Sequence, residues 1–186
     1  TTINDELIGI QWTTTINIKQ SMSDTDADND GIPDSIEDIT TGSLIIDDEI
    51  DFSKIEFDKD GVDFTIDARK KIDISSANVK MKSLLIGGRE KSTVQLKEKS
   101  NLDITEDLIL GEKTGYLAQL NIENENALLK IGNDFTVGES GIATLEMSSG
   151  KAEINGTFRA GVNRGSEGTI KISGKANLNI EKDFMV

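Results

Sequence analysis

The residues most able to do chemistry run from Asp26 to Glu37, as Asp26-Ala27-Asp28-Asn29-Asp30-Gly31-Ile32-Pro33-Asp34-Ser35-Ile36-Glu37. Carboxylates stand at positions 1, 3, 5, 9 and 12 of this stretch and a glycine at position 6. That is the donor spacing of a twelve-residue calcium loop, with the glycine where the chain must turn sharply. On this reading Asp26, Asp28 and Asp30 give side-chain oxygens and Ile32 its backbone carbonyl. Asp34 gives an oxygen directly or through water, and Glu37 a bidentate carboxylate. Asp24 is a candidate for one more oxygen. Five carboxylates in twelve residues repel one another, and a hard dication such as Ca2+ is the natural compensation. A solvated acidic linker is the competing reading, but it has no need of the glycine or of the glutamate at position 12.

The flanks bear on which kind of calcium loop this is. Residues 12 to 23 are rich in Thr, Ile and polar residues without helical periodicity, so the entering helix of a paired EF-hand is not expected. Pro33 suits the first turn of one short helix, continued by Ser35 to Ile39 and ended by Thr40-Thr41-Gly42. The pattern Asp-x-Asp-x-Asp-Gly-Ile-Pro-Asp-x-x-Glu resembles the thrombospondin type 3-like calcium repeat of microbial surface and secreted proteins, over about residues 24 to 37. The cysteines of the animal forms are missing. The resemblance implies calcium-dependent stiffening between modules and no catalysis.

The 186 residues carry a net charge of -14, unevenly placed. Residues 1 to 61 hold 16 acidic and 3 basic side chains, and residues 62 to 186 hold 18 and 17. The boundary near residue 61 therefore separates an acidic N-terminal region from a nearly neutral remainder. Nucleic acid and anionic membranes are poor partners for such a surface. The sequence has no cysteine, no histidine and no apolar run long enough for a transmembrane helix, which leaves no disulfide and no His-ligated zinc. Calcium loops of this type are most useful where calcium is near millimolar, so a secreted or cell-surface location is expected, with any signal peptide removed before Thr1.

From residue 62 onward the chain repeats. Pairs of apolar residues separated by one polar residue recur: Phe64/Ile66 then Ile72/Ile74, and Val94/Leu96 then Leu102/Ile104. The pattern returns as Leu120/Ile122 then Leu129/Ile131, as Leu145/Met147 then Ala152/Ile154, and as Ile170/Ile172 then Leu178/Ile180. A third pair begins four residues after each last isoleucine: Leu108/Leu110, Phe135/Val137, Phe158/Ala160 and Phe184/Val186. Glycine then follows as Gly111, Gly138 and Gly161, with Gly87 ending the related segment Leu84-Leu85-Ile86, and successive glycines are 24, 27 and 23 residues apart. Alternation at period two means strands, and self-similarity at this spacing means a solenoid.

The expected fold is therefore mainly β: a parallel β-solenoid, three-sided, of about five rungs over residues 62 to 186, following the calcium-loop region of residues 1 to 61. Each rung would send alternate residues inward to stack on the next rung about 4.8 Å away. Corner glycines would supply positive φ. Residues 75 to 83 lengthen one link and read as a loop or extra strand inserted at a corner. This half resembles the β-helix passenger and adhesin-like domains of bacterial surface proteins. A β-sandwich is the alternative, but it does not need one four-residue step repeated four times.

Other chemistry is sparse. Asp58-Lys59-Asp60-Gly61-Val62-Asp63 imitates half a calcium loop, with Glu56 in the first position, Phe64 in the ninth and Asp67 in the twelfth, and reads as a turn rather than a second ion site. Asp47, Asp48, Glu49 and Asp51 read as a solvated face. No histidine or activated nucleophile is present, and Trp12 and Tyr116 are the aromatics placed to stack on sugar. A polysaccharide lyase or hydrolase fragment is the catalytic alternative. Phe184-Met185-Val186 ends a strand without a polar cap, so either the solenoid continues in a longer protein or another copy covers the edge. In the latter case residues 7 to 18 are strand-like donors for a self-assembling filament subunit. The favoured expectation is a calcium-stabilised structural or adhesive module: a rigid stalk, spacer or surface for carbohydrate or protein.

Overall fold

A computed structural model of the chain describes residues 58–66, 71–88 and 91–186, together with the backbone of strand segments 15–17, 42–46, 51–53 and 56–57. The first six strands are β1 (Thr15–Asn17), β2 (Gly42–Ile46), β3 (Asp51–Ser53), β4 (Glu56–Ile66), β5 (Lys71–Ser75) and β6 (Asn78–Ile86). The next six are β7 (Ser92–Lys97), β8 (Asn101–Ile104), β9 (Leu108–Leu110), β10 (Leu117–Ile122), β11 (Leu128–Ile131) and β12 (Phe135–Val137). The last six are β13 (Ile142–Met147), β14 (Lys151–Ile154), β15 (Phe158–Ala160), β16 (Glu167–Ile172), β17 (Asn177–Ile180) and β18 (Phe184–Met185). No helix occurs among the described residues.

Every pairing between these strands is parallel, and each strand inside a ladder lies between its counterparts one coil earlier and one coil later. One ladder runs β3-β5-β7-β10-β13-β16, a second β6-β8-β11-β14-β17, and a third β6-β9-β12-β15-β18. The fold is a parallel β-solenoid of about five turns. β4 pairs with β6 along both of its halves, and β2 and then β1 extend the third ladder beyond β4.

In-register stacking turns the period-two pattern into columns. Val94 lies between Ile72 and Leu120, and Leu120 is followed by Leu145 and Ile170. In the second ladder Ile104, Ile131, Ile154 and Ile180 form another column. In the third, Leu84, Leu108, Phe135, Phe158 and Phe184 follow one another. The interior members of these columns up to Phe158 are buried, most of them completely. Each fully buried aliphatic side chain contributes about 1.5–3 kcal/mol, and the stack grows in one dimension without a large aromatic content. Where the columns end, burial falls: Ile172 is 43% exposed and Phe184 55%. The corner glycines Gly111, Gly138 and Gly161 have φ of +66°, +73° and +63°, the left-handed region that a side chain disfavours.

Three sequence expectations are corrected. Phe64 and Ile66 do not open the first rung; they pair with Leu84 and Ile86 and so belong to the third ladder, while Ile72 and Ile74 pair with Val94 and Leu96 and open the next coil. Residues 75 to 83 are not an insertion. Val79 and Met81 pair with Leu102 and Ile104 as an ordinary second-ladder segment. In later coils three residues, such as Thr105, Glu106 and Asp107, separate the second and third segments, but only Lys82 and Ser83 do so here. With one corner residue fewer, the strand runs through without a break. Finally, Asp58 to Asp63 is strand within β4 and not a turn; its corner is a register shift between Lys59 and Asp63.

Candidate binding surface

Asp26, Asp28, Asp30, Ile32, Asp34 and Glu37 of the calcium motif lie outside the described residues, as do Asp24 and the expected helix near Ser35 to Ile39. In sequence they fall between β1 and β2, two neighbouring parallel strands. The acidic run Asp47, Asp48 and Glu49 also lies outside.

The half-loop of β4 is described, and its carboxylates face lysines. Lys80 Nζ donates to Asp60 Oδ2 at 3.1 Å and lies 3.8 Å from Asp58 Oδ1. Lys82 Nζ donates to Asp63 Oδ2 at 3.3 Å, and Ser83 Oγ to Asp63 Oδ1 at 2.5 Å. The Asp60 hydrogen bond, aided by the charges of Asp58, Asp60 and Asp103, outweighs desolvation and raises the Lys80 ammonium above its ordinary pKa. The lysines neutralise these carboxylates where a metal ion would otherwise do so. Among the described residues no three His, Cys, Asp or Glu side chains converge as a metal site.

Outward positions of the second ladder form a charged row. Register places Asp58 beside Lys80, Lys80 beside Asp103, Asp103 beside Lys130, and Lys130 beside Glu153. The sign alternates at every coil, so each lysine has a carboxylate on both sides about 4.8 Å along the axis. Among these described neighbours Lys80 and Asp58 form an ion pair, at 3.8 Å. Glu153 accepts a hydrogen bond from Lys151, and this contact, opposed by desolvation and assisted by the charge of Lys130, holds its carboxyl below the usual range. Beside the row a groove of about 390 Å³ is lined by Asp103, Ile104, Thr105, Lys130, Ile131, Gly132, Glu153 and Asn155. Its lining mixes these charged and polar groups with apolar surface in about equal parts and carries no aromatic platform.

A second cluster ties the corners that precede the third ladder. Asp134 Oδ1 accepts from the Thr157 amide at 2.7 Å and Oδ2 from Arg159 Nη1 at 2.5 Å, while the Asp134 amide donates to Asp107 Oδ1 at 3.0 Å. Burial works to raise the Asp134 pKa. The Thr157 amide and Arg159 guanidinium, with a smaller effect from Lys182, outweigh burial and hold the carboxyl below its ordinary value. Ser76 Oγ donates to Glu98 Oε2 at 2.6 Å in the same coil-to-coil manner. A serine beside a carboxylate with no histidine between them is not an activated nucleophile. Tyr116 carries Lys113 Nζ 5.7 Å from its ring centroid.

The charged row was readable in the sequence, because its members are the central residues of Leu102-Asp103-Ile104, Leu129-Lys130-Ile131 and Ala152-Glu153-Ile154. Their alternation appears only once the coils are aligned. The Asp134 corner carried no such signal, since its partners Thr157 and Arg159 stand 23 and 25 residues away. Compared with family profiles, with curated proteins and with solved structures, the chain finds no match.

Proposed function

We propose that this chain is a calcium-stiffened, non-catalytic module of a secreted or cell-surface protein, in which three-sided rungs form a rigid stalk or spacer bearing a polar outer surface. The observation that supports this reading is the pairing of β1 with β2 and of β2 with β4, which continues the third ladder to Asn17 and Gly42, on either side of the calcium motif in sequence. Parallel neighbours are joined by a crossover, and the connection between β1 and β2 contains the donors Asp26, Asp28, Asp30, Ile32, Asp34 and Glu37. Calcium bound there would pin that crossover and hold the first strands of the ladder in place. Adhesion to carbohydrate or protein through the outer faces belongs to the same proposal.

Isothermal calorimetry with calcium, with thermal unfolding alongside, tests it. At 100 times the Kd, binding restricted to the folded chain adds about 2.7 kcal/mol of stability. Glu37→Gln removes one charge of the bidentate ligand and weakens binding at least about tenfold. Absence of a calcium binding heat and of a calcium-dependent rise in Tm in the unmutated chain would refute the proposal.

A further inference from the structure

Asn155-Gly156 is the one asparagine-glycine step in the sequence, and it lies at the corner between β14 and β15. An asparagine carboxamide is open to attack by the backbone nitrogen of the following residue. Glycine in that place leaves the nitrogen unshielded and the backbone free to reach the cyclic geometry. Asn155 is exposed. Gly156 is locked in as glycine, because a Cβ there would stand 2.2 Å from the Asn133 carbonyl oxygen and 2.4 Å from Asp134 Oδ1. The equivalent corner residues Glu106 and Asn133 donate their amides to Lys82 O at 2.7 Å and Glu106 O at 3.0 Å. The Gly156 amide makes no such bond among the described residues. An asparagine-glycine step, an exposed carboxamide and a buried Gly156 amide with no backbone acceptor among the described residues thus coincide at one corner.

We propose that Asn155 is a self-modification site. The deprotonated Gly156 nitrogen forms a bond to Asn155 Cγ, the Cγ–Nδ2 bond breaks, and the leaving NH2 group takes up one proton from water and departs as ammonia. Water then opens the resulting succinimide at either carbonyl, giving aspartate or isoaspartate at position 155. No oxidant, metal or enzyme is needed. Either product adds a negative charge to the groove beside Glu153 and Asp103. Isoaspartate also adds a methylene to the backbone just ahead of Phe158, whose ring is stacked between Phe135 and Phe184 at 4.9 and 5.3 Å. The corner is therefore a built-in ageing point that loosens the coil following it. Asn155-Gly156-Thr157 also matches a glycan acceptor pattern. Thr157, however, is only 7% exposed and its amide is held by Asp134, so the folded corner does not offer the hydroxyl to a transferase.

The test is incubation of the full chain at neutral and mildly alkaline pH, followed by peptide mass mapping and methyl labelling with an isoaspartate-directed carboxyl methyltransferase. The expected result is loss of the Asn155 carboxamide in proportion to hydroxide, an equal release of ammonia, and isoaspartate in the peptide spanning β14 and β15. Asn155→Gln, at an exposed position that folding tolerates, should abolish the label, since the six-membered ring forms far more slowly. Conversion at Asn155 no faster than at Asn124 or Asn163, which precede residues with side chains, would overturn the proposal. So would a glycan on Asn155 in protein taken from its own cells, because the linked carboxamide no longer carries the free leaving group.

Discussion

Replacing Phe158 by alanine is the sharpest probe of the stacked core. Phe158 is 0% exposed and its ring packs against Phe135 at 4.9 Å and Phe184 at 5.3 Å. Truncating a buried phenylalanine to alanine costs about 3–5 kcal/mol. The two ring pairs place this site toward the upper end, since each such pair adds about 0.5–1.5 kcal/mol beyond burial. Phe184→Ala is the internal control. That ring is 55% exposed and stacks on one side only, so its loss should cost about 1–2 kcal/mol. Against a total stability of about 5–15 kcal/mol for a domain, the first change is large and the second modest. Urea unfolding followed by far-ultraviolet circular dichroism measures both. Because coils interact only with their neighbours, Phe158→Ala should also separate unfolding of the coils after β14 from the rest. A cost below about 1 kcal/mol for Phe158→Ala, or equal costs within about 0.5 kcal/mol for the two variants, would refute the in-register column.

Leu145→Asp puts an unpaired charge at a completely buried position and should unfold the adjoining coils, whereas Lys171→Gln, at a 60% exposed position paired with Glu146, should cost at most about 1 kcal/mol; equal effects in thermal unfolding would mean a register wrong by one residue. Asp134 has a lowered folded pKa, so its contribution is present above its unfolded value near about pH 3.9 and is lost as pH falls through the folded value. Asp134→Asn should therefore destabilise the protein at neutral pH and flatten the acid limb of a stability-against-pH curve, and an unchanged acid limb would show that Asp134 does not carry it. For Lys80 the sign reverses: its raised pKa gives stability that is full below about pH 10.4 and is lost as pH rises through the folded value, so Lys80→Met should flatten the alkaline limb.

The repeat, the parallel ladders and the inward residues were legible in the sequence, because a solenoid translates a one-dimensional pattern directly into stacked columns. Val94, Leu102 and Leu108 could each be placed by alternation and by the four-residue step alone. The reading failed at the first coils for one reason. Between Met81 and Leu84 a corner residue is missing, so the step that marks every later corner is absent and β6 looks like a long link. The proposed calcium loop, Asp26 to Glu37, is read from twelve adjacent residues of the sequence alone and lies outside the described residues. What only the tertiary structure decided are contacts made across coils: the lysines that take up Asp58, Asp60 and Asp63, the alternating row from Asp58 to Glu153, and Asp134 holding Thr157 and Arg159. Those partners stand roughly one coil apart in sequence, and coil length varies by a few residues. Which side chains face each other therefore depends on how each corner absorbs the difference, and that is settled by packing of the whole stack rather than by any segment of it.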